Sequence, residues 1–267
     1  MRFTKIPLHS KIKGDKLASR LRILHPYPAL TVETQSEKVL VIGDLHIGFE
    51  ERFIKEGLLI ESSVNRIMTD LSFLLKKHDP DRLIMLGDIK DSFYKITPSE
   101  WRIIPDFLSR VSNMIRTDIV VGNHDGGLKH LLPKNSKIGL FKFLKLDNIA
   151  LLHGHTKLDP SLLSMDKIII GHIHPTYSKK GSPLSGNPMW LIVRARRDLI
   201  FKGADGIAEI VVVPSFNKEL SLPTYRSDGR KIISPILRKV QNTLEEAYVI
   251  TLEGDIIGDE SSVKYVI

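Results

Sequence analysis

The chain has no cysteine, only 7% aromatic residues and no apolar run of membrane-spanning length. Lacking cysteine, it can hold no disulfide scaffold, thiolate zinc site, iron–sulfur cluster or cysteine nucleophile, so any metal must be bound through nitrogen and oxygen. No zinc finger and no aromatic RNP-like motif announces a nucleic-acid reader. Met1 to Gly14 carries charge throughout and lacks the apolar core of a signal peptide, so a cytoplasmic protein is expected. Against these absences stand 267 residues, 42% hydrophobic, with 39 Lys+Arg over 31 Asp+Glu and a net charge of +8. That is ordinary globular composition, and its positive surplus suits an anionic partner or a merely solvated surface equally well.

Short branched runs recur, each ending in Gly or directly in a polar residue. Val39 to Ile42 leads through Gly43 to Asp44, Leu83 to Leu86 through Gly87 to Asp88, and Ile119 to Val121 through Gly122 to Asn123. Ile149 to Leu152 meets His153 directly, and Ile168 to Ile170 leads through Gly171 to His172. Such runs are expected as buried parallel strands, and open α/β sheets gather their ligands at the carboxyl ends of strands. Between the first two runs, Val64, Ile67, Met68, Leu71, Leu74 and Leu75 follow Ser62-Ser63 at helical spacing. Thr97-Pro98-Ser99-Glu100 has a capping-box pattern and opens a second helix containing Trp101, with a bend expected at Pro105. The alternation predicts a parallel sheet core. Beyond about residue 180 the chain is expected to be β-rich, with strands at Trp190 to Val193, Ile207 to Val213 and Ala247 to Leu252 and a hairpin turn at Glu253-Gly254-Asp255. The polar stretch Asn217 to Lys231 is expected to be a connection inside one domain covering residues 1–267.

The strand ends form the clusters Gly43-Asp44-Leu45-His46, Gly87-Asp88-Ile89-Lys90-Asp91, Gly122-Asn123-His124-Asp125, His153-Gly154-His155 and Gly171-His172-Ile173-His174, which take six of the ten histidines. A lone strand-end Asp is usually a cap and a lone His usually a hydrogen-bonded core residue, but the conjunction reverses both expectations. Carboxylate, amide and imidazole donors suit Mn, Fe, Zn or a related divalent ion, and this set is too large for one octahedral site. Two ions are expected, about 3.5 to 4 Å apart, with Asp88 as the natural bridge.

These motifs resemble the calcineurin-like metallophosphoesterase superfamily, whose pattern of DxH, GDxxD, GNHD, a later His and GHxH is matched in order from Asp44 to His174. The resemblance implies a four-layer α/β/β/α sandwich and two divalent metals, manganese first, with iron, zinc or nickel as alternatives. It implies that Asp44, His46, Asp88 and His174 hold one ion and that Asp88, Asn123, His153 and His172 hold the other. His124 would face the phosphate, stabilising charge or protonating the leaving oxygen, with Asp125 orienting its ring. Water would attack phosphorus in line, with no covalent enzyme intermediate. His153 and His155 both remain candidates for the loop ligand, His153 being favoured by its position at the strand end. Asp91 is expected to hydrogen-bond the site, or else to be a surface carboxylate, His155 to touch a ligand or substrate, and Lys90 to be solvated or else to meet substrate phosphate.

More narrowly, Asp44 to Glu51, Gly87 to Lys90 and the late Pro214-Ser215-Phe216-Asn217 resemble SbcD-related archaeal phosphoesterases similar to the bacterial ligase-associated DNA-repair nuclease PdeM. That resemblance implies hydrolysis of DNA or RNA phosphodiesters and a helicase or ligase partner, although the large capping and partner-binding regions of full SbcD nucleases are missing. Basic residues at Lys142, Lys145, Lys179, Lys180, Arg194, Arg196 and Arg197 would track a phosphate backbone if they flanked the metals, Arg194 and Arg196 sharing one strand face. The alternatives are a phosphatase or phosphodiesterase acting on small nucleotides or phosphoproteins, and a non-catalytic binding module of the kind found in a retromer subunit. The presence of both Asn123 and His124 weighs against the last.

Overall fold

The fold is built so that strand ends distant in sequence meet across two sheets. A computed structural model of the chain describes residues 19–57, 62–221, 234–240 and 243–266. Met1 to Gly14 and residues 222–231 of the polar connection lie outside the described residues.

The first sheet has the order β1 (Arg20–Ile23), β2 (Leu30–Glu33), β3 (Lys38–Ile42), β4 (Arg82–Met85), β5 (Arg116–Val120) and β6 (Gly139–Phe141). β3 to β6 pair in parallel, while β1 and β2 add an antiparallel edge that the sequence reading had not anticipated. The second sheet comprises β7 (Phe143–Leu146), β8 (Ile149–Leu152), β9 (Lys167–Ile170), β10 (Met189–Arg196), β11 (Ile207–Val212), β12 (Leu244–Thr251) and β13 (Ile256–Gly258). Its order is β13-β12-β10-β11-β9-β8-β7, with β8, β9 and β11 parallel and the rest antiparallel. The five expected strand runs are therefore divided between two sheets, three in the first and two in the second.

Strand alternation explains the layering, because successive side chains leave opposite faces. Leu40 and Ile42 of β3 pack under helices α2 (Ser63–His78) and α3 (Pro98–Met114), beside Leu71, Leu74, Phe107 and Leu108. Val39 and Val41 of the same strand turn inward against Ile169, Trp190, Ile192 and Val211 of the second sheet. On the outer face of that sheet, Ile168 and Ile170 meet Ile200 of α4 (Arg197–Ile200) and Leu237 of α5 (Pro235–Val240). The result is helices, sheet, sheet, helices. Trp190 is fully buried in the seam between the sheets, where truncation to Ala would cost about 3–5 kcal/mol.

The helix starts follow local chemistry. The Ser62 side chain accepts from the Val64 amide at the start of α2. Thr97 and Glu100 form the reciprocal capping box of α3, and that helix continues through Pro105. Among the described residues no helix is long and apolar enough to cross a membrane.

Candidate metal centre

Asp44 and His46 follow β3, Asp88 follows β4, Asn123 follows β5, His153 follows β8, and His172 and His174 follow β9. The loops that carry them are unusual in their backbone. Asp44, His46, Asp88, His172 and His174 all adopt positive φ, between 42° and 71°, a region that costs a non-glycine residue energy. Such strain persists only where surrounding structure fixes it, and here it turns five side chains toward one another.

Two groups of donors converge. Asp44, His46, Asp88 and His174 each offer an atom within 4.8 Å of the others, and so do Asp88, His153 and His172. Within the first group, His46 Nε2 lies 3.4 Å from Asp88 Oδ2, and His174 Nε2 lies 3.2 Å from both Asp44 Oδ1 and His46 Nε2. Within the second, His153 Nε2 is 3.2 Å from Asp88 Oδ2 and 3.0 Å from Asn123 Oδ1. Asp88 belongs to both groups and so stands between them. His155 belongs to neither: its ring centroid is 5.2 Å from that of His153, and its Nδ1 has no hydrogen-bond partner among the described residues.

The electrostatics fit cations. Burial opposes ionisation of Asp44 and Asp88, yet His174 and His153 beside Asp44, and His153 and His46 beside Asp88, hold both carboxyls below their ordinary range. Burial likewise disfavours charge on His153, but Asp88, Asp44 and the Leu86 carbonyl outweigh it and push the imidazole up to about 9. His172 is instead pushed down to about 4 by burial and by His153. Imidazole nitrogens and an amide oxygen around two anionic carboxylates are a donor set for divalent ions.

A surrounding layer orients these groups. His153 Nδ1 donates to the Leu86 carbonyl at 2.7 Å, fixing the tautomer that leaves Nε2 available. His46 Nδ1 pairs with Asp91 Oδ1 at 3.2 Å, and Arg52 of α1 (Glu51–Lys55) donates to the other Asp91 oxygen at 2.7 Å. The His172 amide donates to both Asp44 oxygens, at 3.1 and 3.0 Å, tying the second sheet to the first. Gly122 is required by space, because a Cβ there would lie 2.2 Å from Asp88 Oδ1.

Three expectations are corrected. Asp125 does not orient the His124 ring: its carboxylate accepts from the backbone amides of Asp88, Ile89 and Gly122, each at 2.8 Å, and so shapes the turn that carries Asp88. The His124 ring is set by Nδ1 donating to the Asp91 carbonyl at 2.5 Å. Lys90 is not solvated but fully buried, its ammonium donating to the Ser92 carbonyl. Arg194 and Arg196 do not flank the metal groups. Arg194 stands opposite Glu209, which stands opposite Lys167 at the start of β9, whereas His172 follows that strand's far end. That places Arg194 roughly 10 Å along the strand from the ligand rim, with Arg196 beyond it. They pair instead with Glu246 and Asp198, and Arg197 binds Asp166.

The sequence reading did not assign a role to the late tetrapeptide Pro214 to Asn217. Phe216 N donates to the Gly43 carbonyl at 2.8 Å, Ser215 Oγ to the Asp44 carbonyl at 2.6 Å, and Asn217 Nδ2 to the Leu45 carbonyl at 3.0 Å. These bonds brace the strained Asp44 to His46 segment. The signals in the sequence are small polar residues directly after a buried strand and the resemblance this tetrapeptide helps to carry.

The calcineurin-like phosphoesterase family model matches residues 37–203, which includes every one of these ligand positions. The chain belongs to the calcineurin-like phosphoesterase family. It is accordingly a metal-dependent phosphoester hydrolase of mixed α/β fold, and its substrate is a phosphoester. No curated protein sequence matches it. Among solved structures it is similar to the nuclease MPE of Pseudomonas putida, at 16% identity and TM-score 0.49 over 90% of this chain and 100% of that one. It is also similar to Yfce, a phosphoesterase from E. coli, at 16% identity and TM-score 0.36 over 83% of this chain and 97% of that one.

Proposed function

We propose that this calcineurin-like phosphoesterase is a phosphodiesterase of DNA or RNA, carrying two divalent ions, manganese first, and acting in nucleic-acid repair in the cytoplasm. The observation that carries the reading is the pair of donor groups sharing Asp88, set in a chain of net charge +8. Asp44, His46, Asp88 and His174 would hold one ion and Asp88, Asn123, His153 and His172 the other. Ions held there supply Lewis-acid stabilisation of charge on phosphoryl oxygens.

The chain's own residues do the rest. Asp91 and Leu86 orient imidazoles, and Asp125 fixes the loop beneath Asp88. His124, half-buried beside the ligands, keeps Nδ1 on the Asp91 carbonyl, so its Nε2 can deliver a proton to a leaving oxygen. The positive surplus draws a polyanion to this rim without reading its sequence. The inward-facing residues of both sheets form one shared core, which supports reading residues 1–267 as a single domain.

The test incubates the manganese-loaded protein and His124→Ala with end-labelled single-stranded DNA, duplex DNA, RNA and bis(p-nitrophenyl) phosphate. Polynucleotide cleavage should fall by roughly 100- to 10,000-fold in the variant while its metal content is kept. Hydrolysis of the small diester with every polynucleotide left intact would overturn the reading in favour of small phosphodiesters.

A further inference from the structure

Beside His124 the chain exposes two aromatic rings that no step of the hydrolysis uses. Phe93 is 49% exposed and Tyr94 is 93% exposed. The Phe93 ring lies 5.3 Å from that of His124 at 90°, and the Tyr94 ring lies 5.0 Å from Phe93 at 73°. Large rings left in water forgo the stabilisation that burial would give them.

The loop that carries them is firmly held. Asp91 N donates to the Ile47 carbonyl at 3.1 Å, and the Asp91 carbonyl accepts from His124. Lys90, fully buried, donates to the Ser92 carbonyl and hydroxyl. Glu100, buried at the start of α3, accepts from the Ser92 amide and hydroxyl and from the Thr97 amide. A buried ammonium and a buried carboxylate are thus both committed to one short loop, an expensive arrangement in desolvation. Its consequence is that the backbone flanking the two rings is anchored at Asp91, Ser92 and Thr97, with the Phe93 ring against the proton-donating histidine, which lowers the ordering cost of whatever stacks there.

We propose that Phe93 and Tyr94 form a stacking platform for the nucleobase next to the scissile phosphate on the His124 side. The inference rests on the polynucleotide reading above. Stacking on aromatic side chains accepts any base, because every base has a π-face. It complements the sequence-independent attraction of a basic chain for the phosphate backbone.

The test measures KM and kcat on single-stranded oligonucleotides that carry either an intact base or an abasic residue beside the cleaved bond. The proteins are the wild type, Phe93→Ala, Tyr94→Ala, the double variant and Phe93→Trp. The double variant should raise KM on the intact oligonucleotide by about 5- to 150-fold, the effect of losing one stacked base, with kcat little changed. Phe93→Trp, which keeps a stacking ring, should leave KM near the wild-type value. On the abasic oligonucleotide the wild type should itself show the raised KM, and the alanine variants should add nothing to it. Equal KM for all proteins on intact oligonucleotides would overturn the platform and leave the nuclease reading standing. A wild type that hydrolyses bis(p-nitrophenyl) phosphate but cleaves no oligonucleotide would overturn both.

Discussion

The two ends of the second sheet's strands make opposite use of charge. At the end where β8 and β9 stop, His153 and His174 are buried against Asp44 and Asp88, on loops bent through positive φ. At the other end, Arg194 and Arg196 are about half exposed and paired with Glu246 and Asp198. Burial makes the first set interdependent, because each carboxylate needs a cation and each imidazole needs a hydrogen-bond partner. Solvent screens the second set, so its members are replaceable.

The sharpest way to break this contrast is Asp88→Ala, which removes the one carboxylate common to both donor groups. Hydrolysis should fall to background and bound metal from two ions per chain to one or fewer, as read by elemental analysis. Retention of two ions would show that Asp88 does not join the groups.

A smaller effect is expected from Asn217→Ala, which removes the bond to the Leu45 carbonyl but no ligand. Loss of such an outer support weakens metal affinity by about 10-fold or somewhat more. Isothermal titration with manganese checks this, and unchanged affinity would mean that the Phe216 amide and the Ser215 hydroxyl hold the Asp44 to His46 segment without Asn217.

The charged rim should also reveal itself in protons. With its pKa at about 9, His153 is protonated at neutral pH in the metal-free protein, whereas His172 at about 4 is already neutral. A metal ligand must be deprotonated, so loading should release the His153 proton near pH 7, a release that fades as pH rises past 9. Metal affinity should correspondingly rise with pH over that interval. Because the folded value lies above the ordinary 6.5, the stability this group adds to the metal-free fold is fully present below about 6.5 and lost by about 9. Calorimetry in buffers of different ionisation enthalpy counts the protons, and none released at pH 7 would contradict the assignment.

At the opposite end, Arg194→Ala should change stability by no more than about 1 kcal/mol, the ordinary contribution of an exposed ion pair, and leave hydrolysis unchanged. Thermal unfolding and steady-state rates on one preparation measure both. A clear loss of polynucleotide affinity would restore Arg194 to the binding surface.

The same contrast explains what was legible in the sequence. The parallel strands and the ligand clusters could be read because branched runs ending in Gly-Asp, Gly-Asn or Gly-His are dictated by burial on one side and chemistry on the other. β1 and β2 could not be read, since four-residue strands with mixed polarity such as Arg20–Ile23 carry little periodicity. The division of the five runs between two sheets was legible only through family resemblance. Asp125 was misassigned because adjacency to His124 suggested a side-chain partner, whereas the turn placed its carboxylate under three backbone amides. The burial of Lys90 is not legible in the sequence, because its acceptors are the carbonyl and hydroxyl of Ser92, which only the folded loop brings to the ammonium. Arg194 and Arg196 looked like candidates for the rim because alternation gives a face but not an end of the sheet. The bracing by Ser215 and Asn217 spans more than 170 residues of sequence and needed the folded chain.

The central claim is that two divalent ions sit on either side of Asp88. Anomalous diffraction at the manganese edge from crystals grown with manganese tests it most directly. The account predicts two peaks, one against Asp44, His46, Asp88 and His174 and one against Asp88, Asn123, His153 and His172. A single peak, or peaks not in contact with Asp88, would contradict it.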